Sequence, residues 1–71
     1  MKTFYITTDY IELIRLLKAC GPYQSEAEAK QSITDGLVTV NGEVETRRKC
    51  KLIPGQVVVA GETEITISFG R

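Results

Sequence analysis

Hydrophobic positions in the first part of the chain predict a short strand followed by a helix. Phe4-Tyr5-Ile6 is short, apolar and aromatic, a composition that favours an N-terminal strand. A helical spacing of apolar residues follows, and it predicts a buried stripe on a first helix made of Tyr10, Leu13, Ile14 and Leu17.

The limits of this first helix are indicated by capping and breaking residues. Asp9-x-x-Glu12 resembles a capping box with Asp9 as the cap, and Thr8 is an alternative cap. Gly21-Pro22 predicts the end of the helix, because glycine tolerates the left-handed conformation and proline cannot continue a helix.

The second helix has a clearer start, since Ser25-x-x-Glu28 is a full capping box. We expect it to span about twelve residues and to end at Gly36. Its apolar contacts are predicted to come from Ala29, Ile33 and Leu37.

The second half of the chain alternates between apolar segments and turn dipeptides. Asn41-Gly42 lies between two alternating runs and predicts a hairpin with a type I′ turn, which needs positive φ at both positions. Pro54-Gly55 and Gly61-Glu62 predict further turns, which separate strands near residues 56–59 and 64–69. The order of elements favours one α+β domain over residues 1–71, with two N-terminal helices packed on a small antiparallel sheet.

Charge is distributed unevenly although the formal net charge is zero. Residues 1–46 contain four Lys/Arg against seven Asp/Glu, whereas residues 47–51, Arg-Arg-Lys-Cys-Lys, contain four cations and no anion. A concentrated basic run therefore follows a rigid turn in an otherwise acidic chain, which points to a phosphate-bearing or acidic partner. If the run is extended, alternation would place Arg47, Lys49 and Lys51 on one face and Arg48 on the other.

Several classes of function lack their residues in this sequence. Histidine is absent, which removes histidine-based catalysis, and Cys20 and Cys50 have no metal-binding spacing. We therefore expect a protein that is not an enzyme and that has no cofactor or metal. No signal peptide or membrane-spanning segment is evident, so we expect a cytoplasmic protein with free thiols.

The spacing of these features resembles a known family of RNA-binding domains. The chain is similar to the module named after small-subunit ribosomal protein four at Ser25, Ala29-Lys30-Gln31, Ile33, Gly36, Val38, Val40-Asn41-Gly42, the basic run and Pro54-Gly55-Gln56-Val57. The match covers roughly residues 10–60, and Asn-Gly-Glu-Val-Glu-Thr-Arg-Arg looks like the small stand-alone bacterial members. The resemblance implies the αL motif and binding to structured RNA, with ribosomal or ribosome-assembly RNA as the partner class.

The same resemblance implies where RNA would bind. It places Lys30 and Gln31 of the second helix on the RNA side, together with Arg15 and Lys18 of the first. Glu26 and Glu12 stand where the family often has arginine, so the expected interface shifts toward the basic run, Arg47, Arg48, Lys49 and Lys51.

Some candidate positions also have a structural explanation. Asn41 and Gly42 are required by the turn and could offer backbone amides to phosphate, while Ser25 is a helix cap and a second candidate phosphate contact. We expect a monomer that binds RNA mainly through its phosphates. Two alternatives stay open, namely a protein-interaction domain for an acidic partner and a detached accessory module of an RNA-modifying enzyme.

Overall fold

The computed structural model describes residues 2–70, which form two helices and seven strands. In chain order the elements are β1 Lys2–Ile6, β2 Ile11–Glu12, α1 Leu13–Cys20, α2 Glu26–Thr34, β3 Val38–Val40, β4 Glu43–Val44, β5 Lys51–Leu52, β6 Val57–Ala60 and β7 Thr63–Phe69. Five strands form one sheet in the order β1-β7-β6-β3-β4, and β2 pairs with β5 in a separate two-stranded ladder. No helix between residues 2 and 70 is both long enough and apolar enough to span a membrane.

The α+β class is confirmed, but the sheet is mixed. Strand β1 runs parallel to β7, from Lys2 opposite Ile65 to Ile6 opposite Phe69, while the other neighbours in the sheet are antiparallel. The expected small antiparallel sheet is found except at β1, which pairs in parallel with the last strand of the chain. No turn between consecutive segments specifies that long-range pairing.

One apolar cluster joins both helices to the sheet. Its fully buried members come from α1, α2, β5 and the central strands, and they include Leu13, Leu16, Leu17, Ala29, Ile33, Val38, Leu52, Val58 and Ile65. Each such leucine, isoleucine or valine contributes about 1.5–3 kcal/mol relative to an exposed side chain. The core therefore fixes α1 against the sheet, and this placement determines where the basic run can dock.

Helix α1 begins later than predicted and ends at Gly21 as predicted, although not in the expected conformation. It starts at Leu13 after Glu12, which makes no side-chain cap, so the capping box at Asp9 was wrong. Tyr10 precedes β2 and is exposed, so it is not part of the buried stripe. Gly21 has φ of −80° and not a left-handed φ. It is needed for space instead, because a Cβ there would lie 2.5 Å from the carbonyl oxygen of Leu17.

Helix α2 starts as predicted. The Ser25 hydroxyl accepts a hydrogen bond from the Glu28 amide at 3.3 Å. The Glu28 carboxylate reaches back to the amide of Gln24, one residue before the position that a full capping box uses. The helix spans nine residues, and Gly36 follows with φ of +78°. Leu37 is 61% exposed, so its predicted apolar contact with the core was wrong.

The β3–β4 hairpin is confirmed. Asn41 and Gly42 have φ of 52° and 87°, as a type I′ turn requires, and Val40 pairs with Glu43. The turns at Pro54-Gly55 and Gly61-Glu62 are also found, on either side of β6. The hairpin delivers the chain from the sheet edge into the basic run.

Candidate nucleic-acid interface

The basic run docks on the start of α1 through its backbone. The carbonyl oxygen of Cys50 accepts from the Leu13 amide at 2.9 Å, and that of Arg48 accepts from the Ile14 amide at 3.0 Å. These bonds satisfy helix amides that would otherwise lack partners, in place of a side-chain cap. Arg48 and Lys49 lie in a turn, so the alternative of a fully extended run was wrong. The turn and the helix together hold the cations in a defined place.

This docking brings Lys49 beside two cations of α1. Lys49 lines an open cleft together with Arg15 and Lys18, and the carboxylates of Glu12 and Glu26 line the same cleft. A second cleft is lined by residues 46–51 themselves. We use the term basic surface for the six exposed cations of this region, which are Arg15, Lys18, Arg47, Arg48, Lys49 and Lys51.

Arg47 is held by the carboxylate of Glu45, two residues earlier in the segment that follows β4. Its Nε lies 3.0 Å from Oε2 of Glu45, its Nη2 lies 3.4 Å from Oε1, and its backbone amide also donates to Oε2 at 3.0 Å. The hydrogen bonds from Arg47 lower the pKa of Glu45 to about 2. The two-point contact with the guanidinium is the same geometry by which arginine binds phosphate. A phosphate must therefore compete with Glu45 for this side chain.

Two further cations of the basic surface have neighbours. The Nζ atom of Lys18 lies 3.2 Å from Oε1 of Glu26, in an ion pair whose two side chains are about half exposed. The Nζ atom of Lys51 lies 4.9 Å from the centre of the Tyr10 ring, within the range of a cation–π interaction. Exposed contacts of these kinds are weak, so both cations can be recruited by an anionic ligand.

Three of the candidate residues have a structural role in the fold. Ser25 caps α2. The side-chain oxygen of Asn41 accepts a hydrogen bond from the Val57 backbone amide at 2.9 Å. The backbone amide of Asn41 donates to the Val57 carbonyl at 2.8 Å, and the two bonds tie the turn to β6. Gly42 supplies the positive φ of the turn. Their contacts with phosphate stay a prediction.

The two candidates on α2 differ in their surroundings. Lys30 is exposed and lies one helical turn after Glu26, on the same side of the helix. Gln31 donates from its side-chain amide to the Asp35 carboxylate at 2.9 Å, which occupies part of its hydrogen-bonding capacity. Of these two candidates, Lys30 therefore lies on the side of α2 that carries Glu26, whereas the Gln31 amide is partly occupied.

The cysteines and acidic residues offer no metal site in the part of the chain that the structure describes. No group of three or more histidine, cysteine, aspartate and glutamate residues is arranged to hold a metal ion there. Both Cys20 and Cys50 are free thiols, and burial raises the pKa of each. The thiols are therefore poorly ionised and poorly suited to act as ligands or nucleophiles at neutral pH.

Sequence reasoning missed two residues of this region. Glu45 was assigned no role, although its position two residues before Arg47 in an extended segment is a signal that could have been used. Tyr10 was assigned to the core. Its contact with Lys51 arises because Glu12 pairs with Lys51 in the β2–β5 ladder, and no local pattern indicates that pairing.

The sequence of this chain is similar to those of known proteins. The S4 domain family matches residues 4–68. A curated Escherichia coli (strain K12) relative, named "Putative RNA-binding protein YbcJ", is 49% identical over 49 residues, which is 69% of this chain and 70% of the relative. The Shigella flexneri YbcJ protein matches with the same identity and coverage.

The fold also has a solved counterpart. The solution structure of E. coli YbcJ, described as revealing an αL motif involved in RNA binding, superposes with a TM-score of 0.72 at 39% sequence identity. The superposition covers 93% of this chain and 85% of that structure.

Proposed function

Because the chain belongs to the S4 domain family, we propose that it is a non-enzymatic RNA-binding module that holds structured RNA by its phosphate backbone. The observation that carries this proposal is the docking of the basic run on α1. The carbonyls of Arg48 and Cys50 fix the run, and Lys49 thereby joins Arg15 and Lys18 along one cleft. The similarity to YbcJ, whose solved structure is described as carrying an RNA-binding motif, supports the same ligand class.

Structured RNA is favoured over a flexible strand because the cations are fixed at their backbone. The loop is hydrogen-bonded to a helix whose leucines are fully buried, so its backbone cannot easily follow an irregular strand. A-form helices present phosphates and 2′-hydroxyls in a regular array that such a surface can match by shape. Contacts of this kind position RNA and carry little sequence information.

The cellular setting follows from the family resemblance. We propose a cytoplasmic monomer whose partner is ribosomal RNA or a precursor met during ribosome assembly. Crosslinking in cells followed by sequencing of the attached RNA tests this part, and enrichment of ribosomal sequences is the expected result. Recovery of RNA at background level together with a specific acidic protein would instead favour a protein-interaction domain.

A salt titration tests the binding mode. Three to four phosphate contacts predict that log K falls with log salt at a slope of about −2 to −4, since each neutralised phosphate contributes roughly 0.7–0.9. Replacing both Arg48 and Lys49 with alanine should flatten the slope by about 1.4–1.8, with folding almost unchanged because these side chains are exposed. Lys2→Ala removes a cation of β1 that is outside the basic surface, and it should leave the slope unaltered. An unchanged slope in the double variant would refute the assignment.

A further inference from the structure

Tyr10 is an exposed aromatic residue held at the margin of the basic surface. Its side chain is 41% exposed, and its backbone carbonyl accepts a hydrogen bond from the Thr8 hydroxyl at 2.8 Å. The next two residues pair with β5, which sets Lys51 opposite Glu12 and its ammonium over the tyrosine ring. The ring is therefore held on one side by the β2–β5 ladder and on the other by a bend whose Thr8 hydroxyl donates to the Tyr10 carbonyl.

The cleft beside Tyr10 shares two lining residues with the cleft that Lys49 of the basic run lines. Thr8, Tyr10 and Ile11 line it together with Glu12 and Arg15. Glu12 and Arg15 also line the neighbouring cleft, which contains Lys18 and Lys49. Arg15 thus lies between the tyrosine cleft and the other cations, so RNA that contacts Arg15 lies next to both clefts.

We propose that Tyr10 is a stacking platform for one unpaired nucleotide adjacent to the RNA helix, with Arg15 and Lys51 contacting the flanking phosphates. This inference rests on the proposed function and deepens it. It names a ligand feature, a single-stranded nucleotide next to a duplex, that phosphate contacts alone would not select. Aromatic side chains bind bases of any identity through their π-faces, and RNA presents such bases in loops, bulges and ends.

Glu12 and Arg15 give the cleft one anion and one cation, so its lining carries no net charge. A base edge can donate hydrogen bonds to the Glu12 carboxylate, which a phosphate cannot do. The phosphates are then directed to the flanking cations, Arg15 and Lys51.

Lys51 does not block the ring. An exposed cation–π contact changes an equilibrium by about 2- to 5-fold, whereas stacking of a base on an aromatic side chain is worth about 5- to 150-fold. A base can therefore take the place of the ammonium, and Lys51 is released to contact a phosphate one position away. In the free protein, the cation–π contact with Lys51 helps to fix the orientation of the Tyr10 ring.

The other two tyrosines do not share this setting. Tyr23 lines a small cleft with Lys18, but it packs against the core and is less exposed than Tyr10. Tyr5 is 56% exposed, but it belongs to the edge strand β1 and not to the basic surface. Tyr5 is thus a matched control, with the same side chain and comparable exposure in a different location.

The experiment compares three synthetic RNA hairpins at one salt concentration. The first has a fully paired stem with a capped loop, the second carries an added unpaired nucleotide at the end of the stem, and the third carries an abasic residue at that position. Wild-type protein should bind the second hairpin about 5- to 150-fold more tightly than the third. Tyr10→Ala should lose that preference, Tyr10→Phe should keep it, and Tyr5→Ala should behave as wild type.

The preference is a ratio measured with one protein sample, so a loss of folded protein in Tyr10→Ala cannot imitate it. Equal binding of the second and third hairpins by wild-type protein, while both are bound in a salt-dependent way, would overturn the inference and leave the proposed function intact. A preference that persists in Tyr10→Ala would also overturn it. Failure of wild-type protein to bind any of the three hairpins would refute the proposed function itself.

Discussion

Glu45 restrains Arg47 of the basic surface by a two-point contact with its guanidinium. Among the described residues, no other arginine of this surface has such a carboxylate partner. Glu45→Gln should release Arg47 for RNA, because glutamine keeps an oxygen for the backbone amide of Arg47 but carries no charge. In the wild type the guanidinium is already bound at 3.0 and 3.4 Å, so a phosphate that displaces Glu45 leaves a carboxylate unpaired beside it. This cost is removed in the variant.

The magnitude follows from counterion release. If Arg47 makes no net phosphate contact in the wild type and one in the variant, the slope of log K against log salt becomes steeper by about 0.7–0.9. Affinity at low salt should rise several-fold, because hydrogen bonds that involve charged groups are about twice as strong as neutral ones. The assay is a fluorescence-anisotropy titration of a hairpin RNA at four or more salt concentrations.

The matched control is Glu43→Gln. It removes the same formal charge two residues earlier, on β4, from an exposed side chain. Both variants change the net charge equally, so a general electrostatic effect would alter both slopes alike. The reasoning is refuted if the two variants give the same slope, or if Glu45→Gln binds no more steeply than the wild type.

The same pair predicts a pH dependence of stability. The folded-state pKa of Glu45 is lowered from 4.5 to about 2, so the pair stabilises the fold fully above pH 4.5 and this contribution is lost as pH falls toward 2. Denaturant unfolding at several pH values should show the wild type losing its advantage over Glu45→Gln in that window. A constant difference between pH 5 and pH 2 would contradict the low pKa.

Two further predictions concern the turn and α2. Gly42→Val should destabilise the domain by about 1–3 kcal/mol and lower the Tm by at least about 4 °C, because φ of +87° strains a β-branched residue although no atom lies within 4 Å of the added Cβ. Glu43→Val, in the adjacent strand, should cost much less, and an equal Tm for Gly42→Val and wild type would argue against the type I′ turn. Glu26→Arg should steepen the salt slope by about 0.7–0.9, since it adds one cation to the cleft. Glu62→Arg makes the same charge change in the β6–β7 turn, and a slope that responds equally to both would exclude a local effect.

The elements that could be predicted from the sequence are those specified by neighbouring residues. The cap of α2 at Ser25 and the Asn41-Gly42 hairpin each depend on chemistry within four positions, and both are present. The start of α1 could not be predicted, because its amides are capped by carbonyls of residues 48 and 50, far along the chain. Tyr10 was misassigned for the same reason, since a two-residue ladder with β5 replaces the first turn of the expected helix.

The candidate interface likewise has features that neighbouring residues specify and features that depend on contacts far along the chain. The concentration of charge in residues 47–51 is visible in the sequence, but its position beside α1 depends on the tertiary structure. Gly21 illustrates the limit in a single residue. A glycine at a helix end predicts positive φ, whereas here it permits a close approach to Leu17 that any Cβ would prevent. The candidate roles of individual cations in RNA binding stay predictions.

Acidic residues within the basic surface bear on what kind of RNA binder this module would be. Glu12, Glu26 and Glu45 each lie beside one of the cations, and the chain carries no net charge. Long-range attraction to nucleic acid is therefore weak, and a phosphate that contacts Lys18 or Arg47 must displace a carboxylate. A surface of this kind gains little from an arbitrary polyanion, because phosphates in the wrong places meet the carboxylates. RNA avoids that repulsion if its phosphates match the free cations and if it offers an unpaired base, in place of a phosphate, beside Glu12. The carboxylates would therefore select RNA by its shape.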